Sequence, residues 1–484
     1  MKKHVEQFFL YRHRFAIGYI LLSAAFFVLL TLLPGVAPTG LSDAEMNSTV
    51  QASNLEPGFI KRGNVIDLPY YALQKSSLTI FGLNLFAIKL PSIIIAVLAA
   101  LFIVLLLNRW FKNDVAIVGS VLTVLSTAFL FLATSGTPAI MYVFWLALIL
   151  WLGSKIVGND NVHPMLVISF FISVALSLYT PYLAYVALVI AIAGLMHPHL
   201  RFALKQLKMY QLILCVLIFI LAAAPLVSSC IINPATLKNL VFANSVDFGG
   251  FITNITNAFA PFFSFSLAYS SVYLAPLFGL ATVALVIIGI LASAGKMFMS
   301  RNTIVSLLVI FSILLSGLNP SVAISIIIPI AILSAAGIES IIEKWYTLFP
   351  ENPYAHLLGI VPMVAVMIFI ISSGLSHFIF GYHYIPRVVN NFNNDLTIIK
   401  ENVSTETTLI LPNDYKNEGF FRLLSKYDGY QIVAKPSKAK TDKIASFEPI
   451  INDKYNLEQI ITSPNTRNSD RLYIYSLVTE KGEE

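Results

Sequence analysis

The sequence predicts an all-α polytopic membrane protein of about eleven transmembrane helices, with a small extracytoplasmic α/β domain at its carboxyl end. Three observations predict it. Hydrophobic residues make up 57% of the 484 positions and charged residues only 12%, about half the charge of an ordinary soluble domain. The mean hydropathy of +0.78 describes a chain that water would not keep dispersed. From about Asn390 the composition turns polar, with fourteen acidic and twelve basic residues over 390–484.

The apolar runs come first. Candidate spans lie at 15–34, 88–108, 115–133, 138–157, 164–181, 182–196, 209–228, 273–294, 302–318, 321–341 and 356–375, most of them long enough to cross a bilayer. The first lacks a small-residue cleavage site and reads as a retained helix. The fifth and sixth meet at Thr180-Pro181-Tyr182, which must supply their whole turn. With the amino terminus cytoplasmic, thirteen Lys and Arg fall inside and six outside before the final domain. That bias fixes the expected orientation, a multi-pass protein of the cell membrane with its carboxyl terminus outside.

Two domains follow. Residues 1–389 form the membrane module, with long outer loops at 35–87 and 229–272. Residues 390–484 form the α/β domain, where TTLILP and RLYIYSLV suit strands. Between them, Phe420, Leu423, Leu424 and Tyr427 recur at helical spacing.

Several function classes are excluded. The net charge of +6 comes from basic residues dispersed among apolar segments, so no nucleic-acid partner is expected. Cys215 and Cys230 are separated by about 22 Å of helix, too far for a disulfide. No phosphate-cradling glycine loop, Cys-x-x-Cys or nucleophile elbow is present. His197-Pro-His199 sits in a basic inner loop beside Arg201, Lys205 and Lys208. The Asn47, Asn254 and Asn402 sequons face outward.

The acids are more informative. Outside the terminal domain there are eleven, and five lie on the outer side: Asp43, Glu45, Glu56, Asp67 and Asp247. None falls in the middle of a span, which argues against an ion-coupled carrier. Asp43 and Glu45 follow the first span by a few residues, and on an extended segment residues two apart share a face. Lys89 and Arg387 sit at the outer interface, where snorkelling to headgroups is the simplest role. Tyr70 and Tyr71 suit an aromatic belt.

Asp43-Ala-Glu45, the segment from Leu68 through Phe81-Gly82 to Ser92, and Tyr384-Ile-Pro386-Arg387 together resemble three elements of the GT-C superfamily of membrane glycosyltransferases, in the branch holding protein O-mannosyltransferases and the aminoarabinose transferases of lipid A. The first is the acidic pair Asp43-Ala-Glu45 after the first span. The second is Leu68-Pro69-Tyr70-Tyr71 leading through Phe81-Gly82 into Lys89-Leu90-Pro91-Ser92. The third is Tyr384-Ile-Pro386-Arg387 after the last span. The pattern departs from the family at Asp67-Leu68, where His-Pro is usual, and at Ala133–Ile140, where an acid is usual.

The resemblance implies a polyprenyl-phosphate-linked sugar as donor, inverting transfer on the outer face, and a protein, lipid or polysaccharide acceptor. Asp43 is then the expected base, taking the acceptor's proton, and Glu45 a second carboxylate that orients the acceptor or holds a metal. Asp67, Tyr70, Tyr71, Lys89 and Arg387 are the expected substrate contacts, the two cations gripping the lipid phosphate. The leaving phosphate calls for a cation or a divalent metal, with Asp43, Glu45, His377 and His383 as candidate ligands. No cofactor is assigned beyond that divalent metal. Two other readings remain open: a non-catalytic relative that binds lipid-linked sugars, and a flippase or transporter of lipid-linked saccharides.

Overall fold

The computed structural model describes residues 14–36, 40–55, 65–157, 163–205, 209–241, 250–263, 267–269, 272–274, 278–296, 299–348, 353–412, 415–439, 441–451, 454–462 and 471–478. Among them, seven helices are long and apolar enough to cross a membrane, or eight if one bent pair counts as a single span. The bent pair, Asn113–Val124 and Thr127–Thr134, turns by 57° where Ser126 caps the second helix through the Phe129 N–H. Three of the expected spans are shorter apolar helices: Pro164–Ser177, Leu183–Met196 and Leu280–Ala294. At 14 residues the first reaches about 21 Å, short of a hydrocarbon core about 30 Å thick. The expected eleven full spans are corrected to that extent.

The Leu85–Trp110 helix is the organising rod. It packs most heavily on Ile140–Val157 and also meets the helices on either side of it in sequence. Its buried row runs Ala87, Ile88, Ala96, Ala99, Ile103 and Leu107, small residues alternating with branched ones so that neighbouring helices approach closely. The turn at 178–182 takes the Thr180-Pro181-Tyr182 break as expected, with Tyr182 at φ 71°. There the Tyr182 hydroxyl lies 3.2 Å from the Oγ atoms of both Ser312 and Ser325.

Two connections bring the chain's end back to its beginning. Strand β1 (Leu41–Ser42) pairs antiparallel with β4 (Phe392–Asn393); β2 (Leu267–Tyr269) and β3 (Val272–Leu274) form a separate hairpin. Gly40 has φ +88°, and a Cβ there would stand 2.1 Å from the Asn393 carbonyl oxygen, so this crossing admits only glycine. Beyond it, β5 (Thr407–Ile410), β6 (Gln431–Val433), β7 (Lys443–Ser446), β8 (Tyr455–Thr462) and β9 (Arg471–Leu477) form one sheet in the order β6-β5-β7-β9-β8. β5, β9 and the Glu418–Asp428 helix fall where the sequence pattern puts them, while β6, β7 and β8 carry no such signal.

Phe420, Phe421 and Leu424 of that helix are buried, and they belong to the same hydrophobic cluster as Met46 and Ala52 of the first loop. The carboxyl-terminal residues are therefore packed onto the end of the bundle that carries Asp43.

Candidate active site

Ser42-Asp43-Ala44-Glu45 opens the Asp43–Ser53 helix as a capping box. The Glu45 N–H donates to Ser42 Oγ at 3.3 Å, while Glu45 Oε2 accepts from the Ser42 N–H at 2.7 Å and its hydroxyl at 3.0 Å. The expected extended segment is thus a helix, and the shared face does not form. Residues two apart on a helix point about 200° apart, so one acid turns into the protein and the other away from it. The signal was in the sequence: Ser-x-x-Glu is the capping-box spacing.

Glu45 is the inward acid, 1% exposed. Its Oε1 accepts from the Gly136 N–H at 2.7 Å and lies 3.5 Å from Lys89 Nζ. Lys89 is itself 1% exposed and, among the described residues, its ammonium has this ion pair and no hydrogen bond. Its expected position reaching out to a lipid phosphate is corrected: the ammonium is enclosed beside the carboxylate. The uncharged 133–140 loop contributes backbone here. A Cβ on Gly136 would come within 2.8 Å of Ile88 Cγ2, and that close approach is what brings its N–H onto Glu45.

A polar network surrounds the pair. Gln74 accepts from the Ser48 hydroxyl at 2.9 Å and donates to the carbonyls of Ile88 and Gly136 at 3.3 and 3.2 Å. The Tyr70 hydroxyl is 2.8 Å from Ser92 Oγ, which reaches the Thr137 carbonyl at 3.3 Å. Tyr70 and Tyr71 are both buried, so the aromatic-belt expectation for them is corrected. Burial pushes both hydroxyls upward, with Ser92 moderating Tyr70 and Ser48 moderating Tyr71.

Asp43 is the outward acid. Its side chain is 45% exposed and meets two residues from the far end of the chain. Lys416 Nζ lies 2.6 Å from Oδ2, and Asn417 Nδ2 donates to Oδ1 at 2.7 Å. Asn417 caps the Glu418–Asp428 helix at φ 61°, a conformation asparagine tolerates better than most residues. Nothing local in sequence links positions 43 and 417, which is why neither Lys416 nor Asn417 was foreseen.

Asp67 lies elsewhere on the same loop. It holds a left-handed turn at φ 52° and is 8% exposed. Its N–H donates to the Tyr179 carbonyl at 2.8 Å, while Oδ1 has no hydrogen-bond partner among the described residues. Burial pushes its carboxyl up to about 8, with the neighbouring Thr180 hydroxyl tempering the rise. Arg387 stands on the short Pro386–Val389 helix, and its side chain lies outside the described residues. The His383 ring packs edge-on against Tyr384 at 4.6 Å, and His377 lies one turn and a half earlier on the same helix. Among the described residues, no three His, Cys, Asp or Glu gather closely enough to hold a metal. The Asn254 side chain donates to the Gly317 carbonyl at 3.1 Å, and both cysteines are free thiols.

With this geometry in view, comparison with known proteins is direct. Residues 69–227 match the family model of dolichyl-phosphate-mannose-protein mannosyltransferases. No curated protein sequence matches the chain. Among solved structures it is similar to ArnT from Cupriavidus metallidurans bound to undecaprenyl phosphate. The identity is 10% and the TM-score 0.54, over 97% of this chain and 100% of that one. It is also similar to the archaeal oligosaccharyltransferase AglB from Archaeoglobus fulgidus, in complex with an inhibitory peptide and a dolichol-phosphate. That likeness has 13% identity and a TM-score of 0.51, over 91% of this chain and 70% of that one. The chain is a membrane protein whose fold is similar to that of ArnT and AglB, and its family-matched segment carries Tyr70, Gln74, Lys89 and Gly136 around Glu45.

Proposed function

We propose that the chain transfers a sugar from a polyprenyl-phosphate-linked donor to a protein, lipid or polysaccharide acceptor at the outer membrane face, with Asp43 as general base. The observation that carries this reading is the division between the two acids. Glu45 has both oxygens occupied by Ser42, Gly136 and Lys89. Asp43 keeps nearly half its side chain accessible near the start of an outer loop.

In the proposed step the acceptor's nucleophilic atom attacks the anomeric carbon from the face opposite the phosphate. The bond from that carbon to the phosphate oxygen breaks, and the electron pair leaves with the lipid phosphate. The acceptor proton passes to Asp43. Glu45 and Lys89 act as positioning residues, fixing the start of the Asp43–Ser53 helix against the Leu85–Trp110 helix and the 135–137 loop. Tyr70 and Tyr71 stand behind that helix, Asp67 begins the Leu68–Phe81 helix that carries them, and Arg387 is the cation assigned to the donor phosphate. Lys416 and Asn417 hold the carboxylate until an acceptor takes their place.

Transfer of labelled sugar from a polyprenyl-phosphate donor by the purified protein tests this. Asp43→Asn should lower turnover by at least about 100-fold, the usual contribution of a positioned base, with donor binding retained. Undiminished transfer by the variant rules out the assignment. The uncharged 133–140 loop favours a second reading, a non-catalytic relative that binds lipid-linked sugars. Donor binding with neither transfer nor donor hydrolysis, across the sugars tried, would select it.

A further inference from the structure

A cavity of about 730 Å³ opens at the other end of the bundle. Lys89 and Arg109 lie on the one Leu85–Trp110 helix, twenty residues and about 30 Å apart along it, which is the thickness of a hydrocarbon core. The cavity, lined by Arg109 and Trp110, therefore sits at the opposite membrane surface from Glu45 and Asp43. Its volume is that of a pocket able to take a sizeable small molecule.

The lining is apolar except at one side. Phe170, Leu195 and Gly153 represent the walls given by the Pro164–Ser177, Leu183–Met196 and Ile140–Val157 helices. The few hydroxyls are turned to protein partners: Ser154 donates to the Trp151 carbonyl at 2.7 Å, and Ser300 lies 3.4 Å from His197 Nδ1. The charged side holds Arg109, exposed at the rim, and Arg301. Arg301 is fixed by a 2.8 Å bond to the Trp110 carbonyl and by stacking over the Phe111 ring at 4.4 Å. Glu339, at 3.7 Å, and Glu343 are its acidic neighbours, so the net positive charge at this side rests on Arg109.

An apolar chamber with guanidinium groups at headgroup depth suits neither a sugar nor a free polar metabolite. It suits an amphiphile. We infer that the cavity binds one anionic phospholipid of that leaflet, its phosphate at Arg109 and Arg301 and an acyl chain inside. Basic pockets between helices at this depth recognise acidic headgroups by charge. The site is separate from the transfer chemistry at Asp43 and does not depend on it.

Trp110 lines the cavity and serves as the reporter in a variant where Trp145, Trp151 and Trp345 are replaced by phenylalanine. The protein is reconstituted in phosphatidylcholine nanodiscs with a few per cent of acyl-brominated phosphatidylglycerol or brominated phosphatidylcholine, and fluorescence quenching is titrated. Phosphatidylglycerol should quench at about fivefold or more lower mole fraction, the preference one arginine near a membrane surface supplies. Arg109→Gln should remove that preference. Gly153→Leu should remove the saturable phase itself, because a Cβ there is 3.6 Å from Phe170 and the longer side chain is left to project into the chamber. Equal quenching by both lipids in the parent protein means annular lipid only and overturns the inference. Displacement by soluble glycerol phosphate overturns it too, since that marks an anion site without a chain. If Gly153→Leu does not elute as a folded species, the Arg109→Gln comparison decides alone.

Discussion

At the scale of single residues, the Glu45–Lys89 pair and Asp67 set the sharpest expectations. Two charges 1% exposed and 3.5 Å apart tolerate removal of both partners better than of one, because the survivor is left buried and unpaired. Glu45→Gln or Lys89→Met alone should cost about 3–5 kcal/mol, and the two together much less; a double-mutant cycle on thermal unfolding measures this. Gly136→Ala should destabilise in the same assay by driving a methyl into Ile88. Asp67 gives a pH dependence whose sign can be worked out. Its folded carboxyl titrates near 8, against 3.8 ordinarily. The folded state therefore binds the proton more tightly, and stability falls as pH rises from about 4 to 8, levelling above that range. Asp67→Asn should flatten the fall in melting temperature between pH 6 and pH 9. An unchanged slope in the variant would show that other groups control it.

At the scale of elements, the contact between the Asp43–Ser53 helix and the Lys416-Asn417 turn separates stability from function. Lys416 is 77% exposed, and exposed ion pairs contribute about 0–1 kcal/mol. Lys416→Ala should thus leave the melting temperature almost unchanged while altering acceptor KM more than turnover, measured in the transfer assay with donor saturating. Asn417→Gly keeps the positive φ and loses the amide, so it should follow Lys416→Ala. Gly40→Val should act oppositely, breaking the β1–β4 crossing against Asn393 and lowering stability throughout. The Ser42-x-x-Glu45 spacing encodes a helix start where an extended segment was expected. What spacing did not carry was the direction each acid takes once the helix packs, since that depends on Gly136, ninety-one residues away.

At the scale of the whole molecule, the terminal helix shares its hydrophobic cluster with the first loop through Phe420, Phe421, Met46 and Ala52. Removing residues 390–484 should therefore expose that loop and yield aggregated protein, as size-exclusion chromatography in detergent would reveal; a monodisperse, ligand-binding remainder would show the two parts independent. The membrane class, the approximate place of each apolar helix, the break at Thr180–Tyr182 and the strands near 407 and 471 were determined by the sequence alone. Their physical causes are local, because hydropathy, Pro placement and residue alternation act within a few residues. Only the tertiary structure decided that Lys89 faces Glu45 rather than lipid, that the 133–140 loop answers that acid with a backbone N–H, and that Lys416 and Asn417 meet Asp43. Those are contacts across 44, 91 and more than 370 residues of chain, set by how close-packed helices and a returning strand register against one another.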